Sequence, residues 1–383
     1  MNNTIRQLFT QIAGPPLPKQ LPPIIEMMMI VYRERLRYAL EQINTNNPAM
    51  TAEVYIDIVD SMRFNAVAYT DKSVELIGIN AGVAAALPLI ASWLLSQPDA
   101  YPTIGDCSKE VEPPRFDGTI LRFSGKASTA PDSIWPQYTS RPRDTARMHF
   151  VTYIMLGAWD FLLFHELAHI LRCHISYVSN ILQKPITSWF EFGTEGLTEK
   201  ESKTRCMLEV DADGVAGRIL SGAPILNGLK VTRETAFGKG NSGVQEWDWP
   251  SAYKTWLRPI GFLFQMMAVL EHNISIIDAQ RTHPHPDIRL QVLVNSIWPQ
   301  WQKVIPDRSY FIELTREAGR EMQDIVRLGI LPNPSGRLDD AYRNSFKDEV
   351  YKLWESLHDC AEVLNALTEK RFAEKRSRIK VKS

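Results

Sequence analysis

Cysteine, histidine and net charge are all scarce in this 383-residue chain, and each scarcity removes a class of protein. The four cysteines, Cys107, Cys173, Cys206 and Cys360, show no paired spacing, so they read as buried free thiols of a reducing compartment and not as a disulfide framework. A formal net charge of -1 gives no basic excess for a nucleic-acid partner. The N-terminus, MNNTIRQLFTQIAGPPLPKQ, lacks a basic segment followed by an apolar run, so no secretory signal is expected. No internal repeat is present, and the glycines of FGKGNSGVQEWDW lack the strand before and helix after that a phosphate loop needs.

Uninterrupted apolar runs are also missing. Ile77 to Leu95 is long enough to span a membrane but carries Asn80, Gly82 and Pro88, and it starts as an alternating strand. Met148 to Leu171 contains Asp160, His165, Glu166 and His169, which suits a buried catalytic helix better than a span. The expectation is a cytoplasmic protein with no membrane span and no nucleic-acid partner.

What is present is sharper. Phe164-His165-Glu166-Leu167-Ala168-His169 reads H-E-x-x-H. Four residues of helix make about one turn, so His165 and His169 share a face and can place two imidazoles on one metal ion. Glu166 is rotated away from that face enough to reach a water without being a ligand itself. Composition alone would produce the pattern on the order of once in a hundred chains with so few histidines. The preceding residues, MHFVTYIMLGAWDFLLF, are apolar on nearly every face, so the helix is buried and its polar residues need partners.

Catalytic zinc takes three protein ligands and keeps an open position. A metzincin would place a third histidine where this chain has Ile175, and His174 is one residue out of register, so that class is rejected. A glutamate from a later helix remains. Leu208-Glu209-Val210-Asp211-Ala212-Asp213 offers Glu209 as ligand and, four residues on, Asp213 to accept a hydrogen bond from a ligand histidine's free ring N–H. The rival is Glu191 with Glu195, nearer to His169 but placed among Phe190, Phe192 and Gly193 in an expected loop. Cys173, four residues past His169, is read as a core thiol, because a further ligand on that stripe would lie about 5 Å up the axis.

H-E-L-A-H, then E-V-D-A-D, then Thr282-His283-Pro284-His285-Pro286-Asp287-Ile288-Arg289-Leu290 resembles the ordered HExxH, ExxAD and HPxxxxR signatures of the gluzincin peptidases that include the CAAX prenyl endopeptidases and HtpX-type enzymes. The resemblance covers about residues 150 to 300. It departs from the many members that are polytopic membrane proteins. A vaguer resemblance is to the phage-exclusion peptidase Lit and its relatives, soluble proteins of fitting size. The first resemblance implies that His283 faces the metal cleft and donates to the oxyanion or substrate carbonyl, and that Arg289 pairs with a carboxylate such as Asp213. The bland alternative makes His283 a helix cap and Arg289 a surface charge. The prolines at 284 and 286 exclude regular helix or central strand there, so His283 stands on a stiff loop.

The expected fold is α+β, mostly helical, with a zincin-like catalytic domain built on a small antiparallel sheet and the H-E-x-x-H helix. Residues 1–50 form an N-terminal arm and helix, 51–305 the peptidase domain, and 306–383 a helical extension with a basic tail, KRFAEKRSRIKVK, that reads as solvated. A hairpin is expected over Arg63 to Ile79. It is the candidate open edge for an extended substrate, with ordinary packing as the equal alternative. A short strand is expected at Thr119–Phe123, an N-cap at Asp144 and a kink at Pro259. Trp247 and Trp249 line either a substrate cleft or the core.

The function expected is a zinc-dependent endopeptidase. Zn²⁺ on His165, His169 and Glu209 activates water, Glu166 takes its proton and hands it to the leaving amine, and a protein or peptide is the substrate. The competing readings are a regulatory or defence metalloprotein with structural zinc, for which Glu166 would have no use, and a zinc hydrolase of a small amide or ester.

Overall fold

The computed structural model describes residues 3–17, 54–70, 74–111, 125–129, 141–182, 188–190, 198–240, 247–272, 286–322 and 355–371, with isolated positions between them. Four strands make one sheet: β1 (Val54–Val59), β2 (Ala66–Thr70), β3 (Glu75–Asn80) and β4 (Ser188–Phe190), in the order β1-β3-β2-β4. The expected hairpin is there, with β2 antiparallel to β3 from Ala66 opposite Ile79 to Thr70 opposite Glu75. The sheet as a whole is not antiparallel, because β1 runs parallel to β3. Nor is the hairpin an edge, since β1 and β4 flank it on both sides. The alternation of Val54, Ile56 and Ile58 was the overlooked sign of β1: a further strand hydrogen-bonds the flank of β3 and buries it.

The first residues are not a free arm. They form α1 (Asn3–Ile12), whose Phe9 is fully buried against Val59, Tyr69 and Leu76 and meets Tyr55 edge-to-face at 5.5 Å. Pro16 then bridges to Val59. This small apolar cluster covers one side of the sheet.

On the main core, β3 runs directly into α2 (Ala81–Leu95), and both pack towards the central helix α3 (Thr145–Leu171). Asp144 caps α3 as expected, accepting from the backbone N–H groups of Ala146 at 2.9 Å and Arg147 at 3.2 Å. Glu110 in turn accepts from the N–H groups of Arg143 and Asp144 at 3.0 Å. α3 is the one described helix long and apolar enough to cross a membrane, but 83% of its most apolar window is buried inside the protein, as a core helix requires.

After α3 come α4 (His174–Leu182), the long α5 (Glu199–Phe237), which is broken by a kink at Gly228 (φ 77°), α6 (Trp249–His272), α7 (Pro286–Trp301) and α8 (Arg308–Met322). α5 starts from a capping box in which Thr198 and Glu201 satisfy each other's backbone N–H. It crosses α3 on one side and α7 on the other. Two glycines permit the closest crossings. A Cβ on Gly157 of α3 would come within 2.7 Å of the Pro259 ring of α6, and one on Gly217 of α5 would meet Leu293 of α7 at 2.1 Å. Pro259 lies inside α6, which is helical on both sides of it.

Helical residues 355–371 close the back of this assembly. Leu364 is fully buried, the Tyr177 hydroxyl donates to Cys360 Sγ at 2.9 Å, and Arg371 pairs with the buried Glu75. The start of the basic tail is therefore docked by Arg371, not solvated. The expected strand at Thr119–Phe123 lies outside the described residues.

Candidate metal centre

The packing of α5 against α3 brings the site together: α3 supplies the histidines and α5 the acids. His165 and His169 are both buried and meet edge-to-face one turn apart, their Nε2 atoms 3.0 Å from each other. Glu209 of α5 faces both, with Oε2 at 3.0 Å from His165 Nε2 and Oε1 at 3.6 Å from His169 Nε2. One donor atom from each residue lies within 4.8 Å of the others, and all three residues are buried. Ligands about 2.0–2.2 Å from a tetrahedral zinc stand roughly 3.3–3.5 Å apart, so the three donors have both the chemistry and the spacing for that ion. Glu166, fully buried, follows His165 on the same turn.

Asp213 stands behind His165, its Oδ1 at 2.9 Å from Nδ1. A carboxylate accepts, so the proton of neutral His165 sits on Nδ1 and Nε2 presents a lone pair to the cluster. Asp213 is itself gripped by Arg289 of α7, whose Nε donates to Oδ2 and Nη2 to Oδ1, both at 2.8 Å. The guanidinium lies 4.5 Å over the Phe264 ring, and Arg289 is only 2% exposed, so it is no surface charge.

The residues behind His169 were missed in the sequence. His174, rejected there as a ligand, is fully buried, with Nδ1 at 3.0 Å from His169 Nδ1 and Nε2 at 2.9 Å from Asp211 Oδ2. Arg172 Nε donates to the same Asp211 oxygen at 2.9 Å. Burial pushes the Asp211 carboxyl up, but the hydrogen bond from His174 and then the charge and hydrogen bond of Arg172 outweigh it and hold the group well below the usual carboxylate range. The available signal was Asp211, two residues from Glu209 and so on a different face of α5.

Residues 119–305 match the Peptidase U49 family model. The matched segment is just under half of the chain, and it contains all of these site residues. The match is to a peptidase family, and it favours the resemblance to the phage-exclusion peptidase group over the one to the CAAX and HtpX enzymes. No curated protein and no solved structure matches the chain.

Within the matched segment, His283, Glu191 and Glu195 lie outside the described residues, while the neighbouring Pro284 is buried. Cys173 is buried at the turn after α3 and is not part of the cluster, and all four cysteines are free thiols. Trp247 takes the core role: it meets Phe237 edge-to-face at 5.4 Å and donates to the Leu229 carbonyl at 3.0 Å. A separate cavity of about 220 Å³ lies between α3, α5 and α6, lined by Tyr153, Asp160, Leu220 and Trp256 towards the opposite end of α3.

Proposed function

We propose that the chain is a zinc-dependent endopeptidase acting on internal peptide bonds of a protein substrate. The observation that carries this reading is the convergence of His165, His169 and Glu209 inside the segment that matches a peptidase family. Zinc held by those three residues supplies Lewis acidity towards a carbonyl and makes water a nucleophile near neutral pH. Glu166 is the general base: it takes a proton from the attacking water and returns it to the leaving amine. Asp213, held by Arg289, keeps His165 in its ligating tautomer.

Substrate binds in extended form. Among the described residues β4 pairs only with β2, so its outer side is one edge of the sheet and the one to which a peptide strand would add, since Pro16 bridges to Val59 of β1 at the other. His283 remains the proposed oxyanion donor, by resemblance to the HPxxxxR signature.

The test uses two variants of the full chain. Glu166→Gln should retain about one zinc per chain by elemental analysis and lose proteolysis by several orders of magnitude, because the ligands remain and the base is gone. Glu209→Ala should lose the zinc. New protein N-termini on induction of wild type, absent with Glu166→Gln, are the expected cellular result. Wild-type cleavage by Glu166→Gln would refute the mechanism, and zinc without any new N-termini would favour a structural metal.

A further inference from the structure

The two histidines of the cluster are backed by different devices. His165 meets a carboxylate directly, at 2.9 Å from Asp213. His169 meets another imidazole, and only beyond it a carboxylate. Two ring nitrogens 3.0 Å apart share a single proton, so one must donate and the other accept.

The direction follows from the far end of the chain of groups. Asp211 Oδ2 receives Arg172 Nε at 2.9 Å and can only accept from His174 Nε2, also at 2.9 Å. Neutral His174 therefore carries its proton on Nε2 and offers a lone pair at Nδ1. That lone pair accepts the Nδ1–H of His169, leaving His169 Nε2 without a proton where it faces His165 and Glu209. The reverse arrangement would put a hydrogen on His169 Nε2 and remove it as a ligand.

We propose that His174 is a positioning residue that holds His169 in its metal-binding tautomer, relaying the demand of Asp211 through a second imidazole. The proposal rests on the metal-centre reading above.

The backbone is built for this contact. Along a continued helix, residue 174 would stand five positions past His169, about 140° round the axis and facing away. Cys173 instead adopts φ 58°, ending α3 and starting α4 at His174, which folds the ring back beneath the last turn. Arg172, the C-cap of α3, then spans from Asp211 to Asn365 Oδ1, at 2.9 Å to each, so the helical residues 355–371 brace the relay from outside.

The test compares His174→Leu, which fills the space but cannot accept, with His174→Gln, which can accept from His169 through its carbonyl and donate to Asp211 through its amide. The measurements are Zn²⁺ affinity of the full chain by chelator competition and the melting temperature of the metal-free protein. His174→Leu should weaken zinc binding by about 10- to 100-fold, and His174→Gln should recover most of that loss. If His174→Leu does not fold, His174→Met serves as the apolar variant. Unchanged zinc affinity in the apolar variant, or equal loss in the glutamine variant, overturns the proposal, whatever happens to the melting temperature. A wild-type chain that binds no zinc refutes the metal reading itself and is distinguished by that control.

Discussion

Arg289 and Asp213 form a two-pronged ion pair in which Nε and Nη2 reach separate oxygens at 2.8 Å, while Asp213 Oδ1 also meets His165 Nδ1 at 2.9 Å. Arg289 thus acts on the His165–His169–Glu209 cluster through one intermediary, Asp213. Both charges are almost fully buried, so neither tolerates loss of the other.

Arg289→Ala should destabilise the protein by about 3–5 kcal/mol, because it leaves the Asp213 carboxylate buried without its counter-ion. Arg289→Lys keeps the charge but not the fork and should fall in between. Chemical denaturation with and without a chelator checks both, and the loss should exceed that of Arg316→Ala, whose ion pair with Glu313 is largely exposed.

Asp160 gives a pH-dependent prediction. Burial pushes its carboxyl up from 3.8 to about 6, opposed by the charge and hydrogen bond of Arg35. The folded state therefore holds this proton more tightly than the unfolded chain. Its stabilising contribution is full below the unfolded value and is lost as pH rises through about 6, a swing of about 3 kcal/mol. Asp160→Asn should match wild type near about pH 4 and exceed it by about 1–3 kcal/mol near about pH 8. A stability difference that does not change with pH would contradict this.

Arg147 organises the turns after α2. It is fully buried and donates to the carbonyls of Leu95, Gln97, Ala100, Tyr101 and Ile104, at 2.7 to 3.3 Å. Arg147→Met should cost more than about 3 kcal/mol, since several buried carbonyls lose a donor together. Hydrogen exchange should locate the loosening in residues 96–110. Uniform exchange across the chain would argue against a local role.

Local pattern carried much of this protein. The four-residue step from His165 to His169, the same step from Glu209 to Asp213 and the apolar run before them are periodicities of single helices, legible without knowing what each helix touches. Asp144 and the β2–β3 hairpin were legible for the same reason, because caps and turns are satisfied by near neighbours in sequence.

Tertiary structure decided the rest. Whether the hairpin was an edge depended on β1 and β4, whose pairings are not local. His174 is one residue out of the metzincin register and so does not read as a ligand, and the left-handed turn at Cys173 is what brings it to the back of His169 instead. Asp211 serves His174 and Asp213 serves His165 because α5 crosses α3 at one depth and angle. The sequence by itself determined which residues could ligate or accept, since that is side-chain chemistry and helical spacing. Which acceptor reaches which ring was set only when the packed helices fixed distances of about 3 Å between residues 37 to 48 positions apart.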